Sequence, residues 1–177
     1  PQAADLFNRA VQAKPDFWDA HVNLGRSLRE LGQNAQSVTV LETVAKAHPK
    51  AAPVLEHLGL SQLGAGRHAQ AVKTLKKAVK LAPALLTAQI ALARALVERG
   101  DLKAAAAGYR AVLRQQPANG TAALGLAMIK RFNDVEDAEL LTLRAAAVKG
   151  SASQDDHAQL CFALGKACDD LSLYDEA

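Results

Sequence analysis

The sequence predicts an all-α fold, a right-handed α-solenoid of stacked antiparallel helix pairs, and three observations predict it. Four prolines, Pro15, Pro49, Pro83 and Pro117, recur at intervals of 34 residues. Glycines follow the same period at Gly32, Gly66 and Gly100. The hydrophobic half of the composition is mostly Ala and Leu, with only 4% aromatic residues. That mix enters helices at little entropic cost and lets backbones pack closely. A fixed period of this length is the mark of a repeat protein.

The elements follow from these stops. Proline cannot continue a helix and pushes its predecessor out of the helical region, so each one closes a helix whose last turn is Val11–Lys14, Ala45–His48, Val79–Ala82 or Leu113–Gln116. Twenty-five residues before the later prolines stand Leu24, Leu58 and Leu92, followed at once by Gly25, Gly59 and Ala93. Five before the four prolines are Ala10, Val44, Ala78 and Val112, and eight before them Phe7, Leu41, Leu75 and Tyr109. Twelve before them come Ala3, Ser37, Ala71 and Ala105. Each unit is therefore a first helix of about 14 residues, a glycine turn, and a second helix ending near the proline. The glycine supplies the left-handed backbone of a tight helix exit. The small residue after each Leu admits a neighbouring helix, so Gly25→Leu is expected to cost roughly 1–3 kcal/mol.

Counted this way, the whole chain is one array. Residues 1–17 are the second helix of a half repeat, and full repeats run 18–51, 52–85 and 86–119. Residues 120–157 form an irregular, longer repeat, since Leu126 to Leu164 is 38 residues. Its first helix is expected over Thr121–Phe132, residues 133–137 replace the glycine turn, and its second helix runs Ala138–Lys149 without a closing proline. A polar loop follows from Lys149, with Ser153 as N-cap and Asp155 and Asp156 favourable to the helix dipole. Residues 158–177 are a truncated repeat: a first helix over Ala158–Cys168, then Tyr174–Ala177 at the start of a second. The half repeats predict bare apolar ends, which either meet further residues or stack end to end on another copy.

The stretches Trp18–Gly25, Val54–Gly59, Gly66–Ala71 and Ala71–Ala78 match the pattern of the tetratricopeptide-repeat (TPR) family, which the chain resembles over nearly its whole length. The resemblance implies an interaction surface that binds a protein or peptide segment in a concave groove. A narrower resemblance lies in Asp155–Ala177, which is similar to the last repeat of bacterial proteins in which a TPR array precedes a sulfotransferase domain. It implies the alternative that this chain is the non-catalytic arm of a larger enzyme. The phosphosulfate-binding loop of such a domain does not occur in these residues, so no sulfuryl-transfer role is assigned.

The family's groove is lined by fixed positions of the first helices. Carried over, they give Asp19, Val22, Asn23, Arg26, Arg29 and Glu30, then Glu56, His57 and Leu60, then Thr87, Ile90, Arg94, Val97 and Glu98, and finally Leu124, Met128, Arg131 and Phe132. The partner-binding candidates are Asn23, Arg26, Arg29, His57, Arg94, Met128 and Arg131. The family's carboxylate clamp and its asparagine ladder fit poorly, because only Asn23 stands at a matching place. Arginines spaced along apolar ground suit instead a segment bearing carboxylates, which they can grip through two parallel hydrogen bonds.

No catalytic constellation, cofactor motif or metal-ligand spacing occurs. Cys161 and Cys168 lie seven residues apart, roughly 10 Å along a helix, too far for a disulfide; their register makes them core residues. His21 and His57 fall on successive first helices, His48 suits a helix C-terminus, and His68 is placed in a turn. The formal charge of +3 is too small and too mixed in sign for a nucleic-acid footprint, and Lys73, Lys76, Lys77 and Lys80 read as a solvated face. No apolar run reaches the roughly 20 residues of a membrane span, and a cytoplasmic setting is the default expectation.

Overall fold

The computed structural model describes residues 2–14, 17–149 and 153–173, and these are helical with short connections. In chain order the ten helices among them are α1 (Gln2–Ala13), α2 (Trp18–Glu30), α3 (Asn34–Ala47), α4 (Ala52–Gly64), α5 (His68–Leu81), α6 (Leu86–Glu98), α7 (Leu102–Gln115), α8 (Gly120–Ile129), α9 (Ala138–Lys149) and α10 (Gln154–Asp170). The expectations for Pro15, for residues 150–152 and for Tyr174–Ala177 lie outside the described residues. The chain divides into two compact units, Pro1–Arg99 and Gly100–Ala177.

In the first unit, the turn glycines do what the period predicts. Gly32 and Gly66 have φ of 75° and 72°, and Gly100, at the start of the second unit, has 83°. Each of the first two closes its helix in a Schellman motif: the Gln33 amide donates to the Leu28 carbonyl at 2.8 Å, and that of Arg67 to Gln62 at 2.8 Å. The helices then pack through small clusters that repeat along the unit. Ala4, Leu24 and Leu28 enclose Phe7 and Val11, Val38 and Leu41 meet Leu58, and Leu55 meets Ala78 and Ala88. A core divided between neighbouring helices is what a quasi-one-dimensional fold requires.

The glycine after each Leu is a packing device. A Cβ on Gly25 would lie 2.6 Å from Leu41 Cγ, and one on Gly59 2.4 Å from Leu75 Cγ. Two fully buried serines bond across the helices: Ser37 Oγ donates to the Gly25 carbonyl at 2.6 Å and lies 2.7 Å from Ser61 Oγ.

The second unit has one larger core, built from Ala123, Ala127, Phe132, Leu140, Leu143, Leu160, Ala163 and Ala167. Here the expected first helix is corrected. It ends at Ile129, and residues 130–134 are irregular. Phe132 turns inward to 0% exposure, which removes it from the groove candidates. The missing glycine turn is replaced by a clasp of side chains. Lys130 Nζ donates to Asp137 Oδ1 and Oδ2 at 2.7 and 2.6 Å and to Glu139 Oε2 at 2.7 Å, and sits 4.6 Å above the Phe132 ring. Lys166 Nζ donates to the Lys130 carbonyl at 2.6 Å and to Asp170, whose carboxylate also accepts the Phe132 amide at 3.0 Å. Asp137 caps α9 by accepting from the Glu139 amide at 2.9 Å. Ser153 caps α10 through the Asp156 amide at 3.0 Å, as its sequence predicts.

Candidate functional site

In the first unit the candidate residues project from α2, α4 and α6, the first helices of their pairs. Their spacing along a helix follows from 3.6 residues per turn: Asn23, Arg26 and Arg29 are three apart and share a face. Arg26 is exposed, its guanidinium 3.8 Å from Glu30 one turn on. Asn23, Arg29 and His57 are half-buried, Arg94 is exposed, and Glu56 is buried.

Electrostatics tie these side chains into one cluster. Burial lowers the Arg29 pKa, Glu30 and Glu56 oppose that, and Arg26 and Arg94 add to it by like charge. Burial likewise lowers the His57 pKa, against the pull of Glu56 and with the push of Arg29 and Arg26. Arg26 and Arg94 are thus near enough to Arg29, and Arg26 and Arg29 near enough to His57, to act on them by charge. Arg29 and Arg94 line one cavity with Leu60, Leu63, Gly64, His68 and Glu98. Buried Arg29 Nη1, His57 Nδ1 and His68 Nδ1 have no hydrogen-bond partner among the described residues.

One histidine expectation changes, that for His68. His21 is held locally, its Nδ1 donating to the Phe17 carbonyl at 3.1 Å, while Arg29 and Arg26 act on His57 by charge. His68 is the first residue of α5, not a turn residue, and it lines the cavity. His48 caps the end of α3, and its ring lies 6.1 Å from that of Trp18.

In the second unit Met128 is 65% exposed and lines a shallow apolar groove between α8 and α10 with Leu124, Ala158, Cys161 and Phe162. Arg131 is exposed, acts on Asp170 by charge, and does not line that groove. Cys161 is exposed, which corrects its reading as a core residue; Cys168 is buried as expected. Leu160, Ala163 and Ala167 form the buried stripe of α10, and Cys161 stands about 100° round the helix from Leu160. Phe162, 70% exposed, is a groove residue that the reading missed. It stands two residues before Leu164, the offset that Val22 holds to Leu24, so the same counting extended to α10 finds it.

Among the described residues no group of three or more His, Cys, Asp or Glu side chains gathers to hold a metal ion. The nearest approach to a soft-ligand pair is Cys161 Sγ at 3.8 Å from His157 Nε2. No helix of the described residues is long and apolar enough to cross a membrane.

Paired helices and Schellman glycines define a helical-repeat protein. Two tetratricopeptide-repeat models match residues 22–85 and 62–129, together more than half of the chain, and the chain belongs to the tetratricopeptide-repeat family. A curated relative, Protein FlbA of Caulobacter vibrioides, is 30% identical over 112 residues; the match covers 63% of this chain and only 19% of that protein. Among solved structures, the TPR protein TTC0263 of Thermus thermophilus superposes with a TM-score of 0.68 at 18% identity, over 91% of this chain and 88% of that one. YrrB, described as a TPR protein with an unusual peptide-binding site, gives 0.68 at 15% identity over 95% and 93%. MamA gives 0.65 at 13% identity over 98% and 90%.

Proposed function

We propose that this TPR array is a docking module that holds a carboxylate-bearing segment of a partner protein against the first helices of its N-terminal unit. TPR repeats generally mediate protein or peptide interactions. The observation that carries the finer reading is Arg29, half-buried among Arg26, Arg94 and Glu56 with Nη1 unpartnered. A guanidinium held that way gains most from an incoming carboxylate, because charge-assisted bonds to it are about twice as strong as neutral ones. Asn23 and His57 add donors on the same face. In the C-terminal unit Met128 offers polarizable apolar contact and Arg131 a cation for the same class of partner.

The test is the double substitution Arg26→Ala with Arg94→Ala in the whole chain, titrated with a fluorescent glutamate-rich peptide. Both side chains are exposed and the Arg26–Glu30 pair is a surface one, worth little to stability. Binding should weaken about tenfold or more with melting unchanged, since each bond to a charged group contributes about 1.5–3 kcal/mol. Undiminished binding by the double variant sinks the assignment.

A second reading, the non-catalytic arm of a longer protein carrying a sulfotransferase domain, rests on the resemblance of Asp155–Ala177. Reading the frame past Ala177 decides it: a strand–loop–helix rich in Arg, Ser, Gly and Thr supports it, and an early stop removes it. End-to-end self-association is checked by light scattering across a concentration series.

A further inference from the structure

We infer that the cavity where α2, α4 and α6 meet the start of α5 is a receptor for one glutamate side chain of the docked segment, an inference that rests on the groove reading above. The cavity is about 370 Å³ and is walled by Arg29, Leu60, Leu63, His68, Arg94 and Glu98 beside Gly64.

Three features select this ligand. The first is unmet hydrogen bonding: Arg29 Nη1 and His68 Nδ1 are buried without a partner, and His57 Nδ1 nearby is in the same state. Buried polar atoms are nearly always paired, and either imidazole can carry its proton on Nδ1, so the cluster calls for an acceptor from outside.

The second is charge. The lining itself carries two cations, Arg29 and Arg94, against one carboxylate, Glu98, while outside it Glu30, Glu56 and Arg26 also act on Arg29. One carboxylate matches the excess in the lining, whereas a phosphate dianion would overfill it. The start of α5 adds attraction of the same sign. It has no acidic residue in its first turn, and its N-cap, Arg67, makes no side-chain capping bond, so no acidic side chain of α5 and no cap offsets the dipole there.

The third is length. Leu60 and Leu63 give apolar walls for two methylenes ahead of the charged head, the stem of glutamate. The shorter stem of aspartate forfeits one of those methylenes and sets its head back from the arginines.

The experiment uses the whole chain, isotope-labelled, with N-acetyl-glutamate N-methylamide as probe and the glutamine, aspartate and phosphoserine analogues as comparisons. The Arg29 side-chain Nε–H and His68 imidazole signals are followed by NMR. Glutamate should shift both saturably, with glutamine at least about tenfold weaker, the loss of one charged hydrogen bond. Arg29→Lys should weaken it by a similar factor because the two-pronged grip is lost, and His68→Ala by less. If Arg29→Lys fails to fold by circular dichroism, His68→Ala and Arg94→Gln carry the test. Equal shifts by glutamate and glutamine, or tighter binding of phosphoserine, overturn the inference. A glutamate-rich peptide that shifts Asn23 and Arg26 but leaves Arg29 and His68 unmoved overturns the receptor and keeps the groove. A peptide that moves none of them removes both.

Discussion

The hydroxyls of Ser37 and Ser61 lie 2.7 Å apart, both fully buried, and join α3 to α4. With Ser37 donating to the Gly25 carbonyl, Ser61 is the donor of the pair, sharing its proton with the His57 carbonyl 2.9 Å away. One chain of bonds thus links α2, α3 and α4. Removing either hydroxyl strands no donor, because Ser61 can fall back on His57 and Ser37 keeps Gly25. Ser37→Ala and Ser61→Ala should each cost about 0.5–1.5 kcal/mol in urea unfolding. The double variant should cost less than the sum, because the shared bond is lost only once. Strict additivity would show that the pair does not interact.

Glycines at equivalent places differ in what surrounds them. A Cβ at Gly59 would sit 2.4 Å from Leu75 Cγ, whereas at Gly165 nothing lies within 4 Å. Gly59→Ala should therefore destabilise by roughly 1–3 kcal/mol through overpacking. Gly165→Ala, in the interior of α10, should stabilise by about 0.5–1 kcal/mol through helix propensity. Thermal denaturation of the two variants gives opposite signs, and a loss at Gly165 would contradict the open space seen there.

Ser172 holds the place that glycine holds after α2 and α4. Its φ is 59°, and the Leu173 amide donates to the Cys168 carbonyl at 2.9 Å, the same Schellman closure as at Gly32 and Gly66. A non-glycine residue pays a steric cost in this region. Ser172→Gly should raise stability by about 0.5–1 kcal/mol, part of the relief being offset by the looser unfolded chain. Hydrogen exchange at the Leu173 amide should slow in step; faster exchange there would count against the assignment.

What was legible in the sequence is what local chemistry decides. Gly32 and Gly66 had to adopt positive φ because no other residue does so freely, and the prolines had to end helices. The pairing of Gly25 with Leu41 followed from their offsets in the period. Phe132 was misread because counting family positions assumes that the first helix continues to it, while its inward turn is set by Lys130, Lys166 and Asp170, the last 38 residues away. Cys161 was misread because a seven-residue spacing to Cys168 says nothing of which flank of α10 is covered. Of the residues lining the first unit's cavity, Arg29 and Arg94 stand at family positions of first helices, but His68 does not, since it enters from the start of a second helix.

The clasp around Phe132 makes the second unit sensitive to acid. The Arg110 hydrogen bond at 2.5 Å holds the Glu139 pKa low, burial opposes it, and Lys130 adds to the lowering. The Lys166 hydrogen bond holds Asp170 low, against burial. Burial works against the charge on Asp137, and Lys130 with the amides of Leu140 and Glu139 outweighs it. Carboxylates with folded pKa values below their unfolded ones contribute stability that is fully present above the ordinary range, about 3.9–4.3, and is lost as pH falls through the folded values. The raised pKa of Lys130 works in the other direction, its contribution being lost only in strong alkali. Lys130→Met should thus destabilise the unit by about 1–3 kcal/mol at pH 7, since it leaves Asp137 without its cation and Glu139 with Arg110 alone. The gap between wild type and variant should stay constant from pH 7 to about 5 and close below about 4, as the carboxylates protonate in both. Exchange protection of the Phe132 amide, which donates to Asp170, reports this unit alone. A gap that persists undiminished at pH 2 would show that Lys130 acts through its packing on the Phe132 ring and not through the charge of Asp137 and Glu139.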